Sequence, residues 1–236
     1  MSKTLYCSKS AFEAFLRCPM LWWFGYVLGA RTIGGGSEAA ITGNVLHKGI
    51  LEGFFLKGGT YQVMCTEMES HEDWPELDHD RQALCYIILK AAEQAFDRMR
   101  DEIEVISVED KVYREVQLHD ITVRHTIVLD MLYRDAEGKL NVFDLKTTKM
   151  YLGSPGKKPW YWEKARRDLQ VPYYLTEAEK HTGERIHNVD WQVVRIPLGK
   201  QERFGENPRN TTYEEHADWL ANKMGSNTST WFPFSP

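Results

Sequence analysis

The sequence predicts an α/β fold of the α+β kind, with a mixed central sheet built on an antiparallel meander, helices flanking it and a helical elaboration before it. Three observations predict this. Residues 81–100 carry Leu84, Ile87, Ile88, Ala91, Ala95 and Phe96 at helical spacing. Runs rich in β-branched and aromatic residues follow at 103–118, 121–133 and 142–148 with short connections, which makes an antiparallel meander. A helical stretch ending before Gly183 then leads to one more alternating run at 186–198, and a strand, a helix and a further strand make a parallel crossover.

The 236 residues suit one domain: a helical elaboration over about 1–102, a core over about 103–198, and a C-terminal helix and tail over 199–236. Hydrophobic residues at 42% are ample for a core. A formal net charge of -5 argues against a basic coat, yet a local basic groove remains compatible with a nucleic-acid partner. Cys7, Cys18, Cys65 and Cys85 form no CxxC pair and suggest no disulfide framework, which favours a reducing compartment. The start has no apolar signal core, and the apolar run Met20 to Ala30 is too short to span a bilayer. The expectation is a cytoplasmic protein with no membrane partner.

Taken in order, Ser10 and Glu13 read as a capping box opening a helix with Phe12, Phe15 and Leu16 on one stripe. Cys18-Pro19 interrupts it, and the aromatics from Met20 to Leu28 are expected in core or interface packing. Gly34 to Gly36 is a flexible connection. A helix from about Thr42 places Val45, Leu46, Ile50, Leu51 and Phe54 on one face with His47 beside it, and Gly43, four residues earlier, leaves room by the imidazole. A packing role and a ligand role both fit His47 here. Residues 57–80 read as a polar, irregular connection, in which His71-Glu-Asp73 and Asp78-His-Asp80 suit acidic-loop and helix-capping roles before metal binding.

Glu109, in the first strand of the meander, is an edge charge or a third carboxylate near a site. Asp135-Ala-Glu-Gly138 supplies turn chemistry, Gly138 being able to take a positive φ. If Asp135 and Lys139 flank a three-residue loop, opposed residues have numbers summing to 274, and Asp130 faces Asp144. Like charges about 4.5–5.5 Å apart across a ladder are destabilising, so a cation belongs between them. Strand alternation brings Lys146 to the face of Asp144. On the hairpin alone, a reactive patch and a solvated salt bridge fit equally.

Beyond the hairpin, residues 157–167 interleave five basic residues, among them Lys157, Lys158, Arg166 and Arg167, with three aromatics. This composition suits phosphate binding with base stacking, or a solvated helix face. Pro172 implies a kink in the following helix or a start later than Trp160. Gln170 and Tyr174, four apart, point the same way. Thr212 to Glu215 reads as a capping box for a helix to about Met224.

Together, SKSAFEAFLRCP near the start, GNVLH ending in His47, the strand Asp130, DLK at 144–146 and QVPYY at 170–174 resemble the RecB-type branch of the PD-(D/E)XK nuclease superfamily. The resemblance implies a restriction-endonuclease-like core in which His47, Asp130, Asp144 and the backbone carbonyl of Leu145 bind Mg²⁺ or Mn²⁺. It makes Lys146 the lysine that positions or activates the attacking water, a role beyond neutralising Asp144. Gln170 and Tyr174 become DNA-contacting or site-supporting and Glu109 an accessory, while the basic residues of 157–167 are DNA-binding candidates on their composition.

The same resemblance implies a DNA nuclease, an exonuclease before an endonuclease, acting on single- or double-stranded DNA in recombination, repair or phage DNA processing. A bacterial or phage-infected cell and a helicase or recombinase partner fit that setting. The alternative is a non-catalytic DNA- or protein-binding module that keeps the fold. Some relatives, CRISPR adaptation nucleases among them, bind an iron-sulfur cluster through one early and three late cysteines. Cys18 matches the first position, but no cysteine follows Cys85, so no cluster is expected.

Overall fold

The computed structural model describes residues 3–30, 38–148 and 170–195. Gly34 to Gly36, the basic-aromatic segment 157–167 with Lys157, Lys158, Arg166 and Arg167, the end of the last expected strand (196–198) and the helix expected from Thr212 lie outside the described residues. In chain order the elements are β1 (Lys3–Ser8), α1 (Lys9–Arg17), α2 (Pro19–Trp22) with a π-helical turn (Trp23–Val27), and α3 (Glu38–His47) continued by a π-helix (Lys48–Leu56). Then come α4 (Tyr61–Glu69), a 3-10 turn (Trp74–Glu76), α5 (His79–Glu102), β2 (Glu104–Leu118), β3 (Ile121–Arg134), β4 (Leu140–Thr148), α6 (Gln170–Thr182) and β5 (Asn188–Arg195).

The sheet is mixed, as the sequence predicts. β2 pairs antiparallel along one edge of β3. The other edge is shared: β1 lies parallel along Ile121 to Thr126, and β4 antiparallel along Met131 to Arg134. β5 adds a parallel strand beyond β4, as the crossover through α6 requires. The hairpin closes as expected, with the Asp135 N–H on the Lys139 carbonyl at 3.1 Å and Gly138 at φ 76°. Residue numbers of the β3–β4 pairs sum to 274 from Arg134–Leu140 to Met131–Phe143.

Helices cover both faces. On one, Leu46, Ile50, Phe54, Met64, Met68, Ile88 and Phe96 pack with Met131, Phe143 and Leu145. On the other, Tyr174 and Ala178 of α6 pack on Leu129, Leu132 and Val142. Each fully buried apolar side chain contributes about 1.5–3 kcal/mol. The pairs Val45-Leu46, Ile50-Leu51 and Phe54-Phe55 recur at intervals wider than the 3.6-residue α-turn, and the backbone follows them into the π-helix.

Four local readings are corrected. β1 was not anticipated, because six residues of weak pattern carry it. The N-cap of α1 is Ser8, whose Oγ accepts from the Ala11 N–H at 3.2 Å; Ser10 already lies inside the helix, and Glu13 pairs with Lys9 at 3.3 Å. The stretch 57–80 contains α4, anchored by the fully buried Met64 and Met68, one turn apart among polar residues. The aromatic segment is not core: Met20, Leu21, Trp23, Phe24, Tyr26 and Leu28 are exposed.

The room left by Gly43 is filled by β4 and not by the imidazole. A Cβ at Gly43 would lie 2.7 Å from Thr147 Oγ1, so this glycine sets how closely α3 approaches the strand carrying Asp144 and Lys146. Gly43→Ala is expected to cost about 1–3 kcal/mol by overpacking, measured by urea unfolding, with recovery in the Gly43→Ala/Thr147→Ala double variant. An unchanged midpoint in the single variant would show that this contact sets nothing.

Candidate active site

Where β1 and β4 diverge along the same edge of β3, a fork opens, and Asp130 sits at its apex. The Leu145 N–H donates to Asp130 Oδ2 at 2.8 Å, so a side chain caps the strand just past the last β3–β4 pair. The β2–β3 ribbon also changes phase here. Ile127 and Leu129 face α6, whereas Met131 and Tyr133 face the α3–α5 layer, although strict alternation would keep all four on one side. Opposite Asp130, Glu109 takes a left-handed conformation at φ 51° with the β2–β3 register unchanged on either side, a geometry that L-residues adopt at a cost.

The result is a three-residue cluster. Ligand atoms of His47, Glu109 and Asp130 all lie within 4.8 Å of one another. His47 Nδ1 is 3.9 Å from Glu109 Oε1 and 3.8 Å from Asp130 Oδ2. An octahedral ion with bonds of about 2.1 Å separates its ligands by about 3 to 4.2 Å, so the spacing fits Mg²⁺ or Mn²⁺, and one imidazole with two carboxylates suits either. Burial, with the Lys146 ammonium, lowers the His47 pKa to about 4, so the ring is neutral and able to ligate at neutral pH. The backbone of Leu145 weakly opposes that fall, which favours the protonated ring.

Asp144 lies on the side of the cluster next to α6. It is fully buried, and both of its oxygens are occupied. Lys146 Nζ and Gln170 Nε2 donate to Oδ1 at 2.8 and 2.9 Å, and Trp191 Nε1 donates to Oδ2. Lys146 is therefore the ion-pair partner of Asp144 in this structure, whatever further role it has. Gln170 also donates to the Tyr174 hydroxyl and accepts from Lys9 Nζ at 3.0 Å, so the expected shared direction of Gln170 and Tyr174 is observed. Pro172 falls in the first described turn of α6, where it interrupts no described helix.

Burial raises the pKa of Asp130 and of Asp144, with Lys146 opposing the rise in both. Burial, then Asp130 and Glu52, push Glu109 up to about 7. Sequence reasoning ranked Glu109 as an accessory and did not find Trp191 or Lys9. A cleft of about 970 Å³ exposes the cluster, lined additionally by Lys9, Lys48, His71, Lys111 and Lys146.

These shifts give a pH prediction. A carboxyl whose folded pKa is raised contributes stability below its ordinary value near 4.5, and that contribution is lost as pH rises through about 7. His47 has the opposite sign: its contribution is lost as pH falls from 6.5 towards about 4, so at pH 6 it already offsets part of the Glu109 effect. Metal-free protein is thus expected to melt lower at pH 8 than at pH 6, and Mg²⁺ to raise the melting temperature more at pH 8. Glu109→Gln should shrink both differences by about 2–4 °C, a modest figure because 38% of the Glu109 side chain is exposed and screened. Scanning fluorimetry showing the same pH dependence in both proteins would remove Glu109 from this account.

The chain matches the family described as the PD-(D/E)XK nuclease superfamily over residues 6–236. No curated protein matches it. Among solved structures, one described as "Crystal structure of SSO0001" is 14% identical, with 79% of this chain and 74% of that chain covered, at a TM-score of 0.25. That likeness is too loose to carry an argument.

Proposed function

The chain belongs to the PD-(D/E)XK nuclease superfamily, and from that premise we propose that it is a divalent-metal-dependent deoxyribonuclease, an exonuclease before an endonuclease. One observation carries the reading: the ligand atoms of His47, Glu109 and Asp130 converge within 4.8 Å of one another, beside the Asp144–Lys146 pair at 2.8 Å. In this reading residues 1–236 are a single nuclease domain, acting in the cytoplasm in recombination, repair or phage DNA processing with a helicase or recombinase as partner.

His47, Glu109, Asp130, Asp144 and the Leu145 carbonyl hold Mg²⁺ or Mn²⁺. Such an ion, when bound, acidifies water and stabilises charge on the phosphate under attack. Lys146 orients the water for in-line attack on phosphorus and adds positive charge where the pentavalent transition state is most negative. Gln170 and Tyr174 hold Asp144 in place. Lys48 and Lys111, on the cleft wall, bind flanking phosphates as point charges.

End-labelled linear DNA, single- and double-stranded, and circular DNA incubated with Mg²⁺ or Mn²⁺ test the proposal. Degradation of linear DNA with circles spared is expected. Cleaved circles would make the enzyme an endonuclease. No cleavage with either ion would favour the non-catalytic binding module, and full activity in Asp144→Ala would put the chemistry elsewhere.

A further inference from the structure

The parallel register of β4 with β5 pairs Asp144 with Trp191. Paired residues on adjacent strands project to the same face, so the indole stands beside the carboxylate on the face covered by α6. Its Nε1–H, which can only donate, meets Asp144 Oδ2. The other oxygen, Oδ1, already accepts from an ammonium and an amide. A carboxylate offers about four acceptor directions: the donors from β4 and α6 meet Oδ1, the Tyr174 hydroxyl of α6 also interacts with the group, and the β5 indole is the donor on Oδ2 that sets its rotation. Without the indole, both partners from Lys146 and Gln170 would hold a single oxygen, and the carboxylate could turn about that point.

We propose that Trp191 is a positioning residue, whose indole N–H on Asp144 Oδ2 locks the carboxylate in the orientation that binds the divalent cation. The inference rests on the metal-dependent reading above. Neither phenylalanine nor leucine would serve at this place in β5, although either would satisfy the apolar pattern that Val189 and Val193 continue. Donors that orient ligating groups typically change metal affinity by about 10–100-fold when removed.

The test compares the wild-type chain, Trp191→Phe, which keeps an aromatic ring without the donor, and Trp191→His, which restores a ring N–H. Mn²⁺ affinity is read without DNA from the electron paramagnetic resonance signal of free Mn²⁺, and cleavage kinetics are read separately. Trp191→Phe is expected to bind Mn²⁺ about 10–100-fold more weakly, with KM for DNA unchanged, and Trp191→His to recover part of the loss. Equal Mn²⁺ affinity in wild type and folded Trp191→Phe overturns the proposal, as does a loss that Trp191→His fails to relieve. If Trp191→Phe does not fold, replacing the indole by benzothiophene, which keeps the bicyclic ring and lacks the N–H, is read against the same outcomes. A wild type that binds no Mn²⁺ removes the metal-dependent reading itself, a result distinct from equal binding by the two proteins.

Discussion

Asp130→Asn is expected to lower metal-dependent cleavage by about 10³–10⁴-fold and, at the same time, to make the metal-free protein more stable at pH 8. The two directions follow from one fact: a carboxylate only 7% exposed is held at the apex of a strand fork. Burial raises its pKa, so ionisation at pH 8 opposes folding until a cation arrives. Asparagine keeps an oxygen for the Leu145 N–H, which now donates at 2.8 Å, and removes the charge. The stability gain is expected to be about 1–2 kcal/mol, read by urea unfolding without metal, and Mg²⁺ should then add little. A residue needed only for folding would behave oppositely, losing stability and activity together. A destabilised Asp130→Asn with normal activity per folded molecule would remove Asp130 from the metal site.

How much of this was readable in advance divides by the length of chain closing each contact. A three-residue loop dictates its hairpin register, so the pairing from Arg134–Leu140 to Met131–Phe143 followed from Gly138 and simple counting, but the ladder ends there, one pair short of the expected Asp130–Asp144 pair, and Asp130 instead accepts from the Leu145 N–H. Period alone gave α5. Trp191 pairs with Asp144 across 47 residues of a parallel crossover, and no local rule sets that offset. Glu109 was readable as a charge in a strand, but its φ of 51° was not. A glycine there would have signalled a positive φ, whereas a glutamate holds the same conformation only because the surrounding ribbon imposes it. α4 was missed because methionines on a polar helix give a weak stripe. The exposed aromatics of 20–28 overturn only the core half of their reading: apolar composition says that a surface needs covering and not which surface covers it.

Lys146 offers the sharpest separation between binding and chemistry. Its ammonium, 2.8 Å from Asp144 Oδ1, is the cation that opposes the raised pKa of both buried aspartates, and it also disfavours charge on His47. Methionine in its place keeps most of the stem and removes the charge. Metal-free Lys146→Met should hold protons on the aspartates to higher pH, since their main counter-charge is gone. At pH 8, however, an incoming divalent cation no longer meets an ammonium, so Mn²⁺ affinity is expected to stay within about threefold of wild type or to tighten. Cleavage should nevertheless fall by about 10²–10³-fold, or roughly 2.7–4 kcal/mol of transition-state stabilisation. Arginine should recover only part of this, because a planar guanidinium cannot occupy the place of a compact ammonium. Measuring Mn²⁺ binding and single-turnover cleavage on the same samples separates the outcomes. If activity merely tracks the folded fraction, or if Lys146→Met keeps a rate near that of wild type, the lysine is a salt-bridge partner for Asp144 and the water must be oriented by another group lining the cleft.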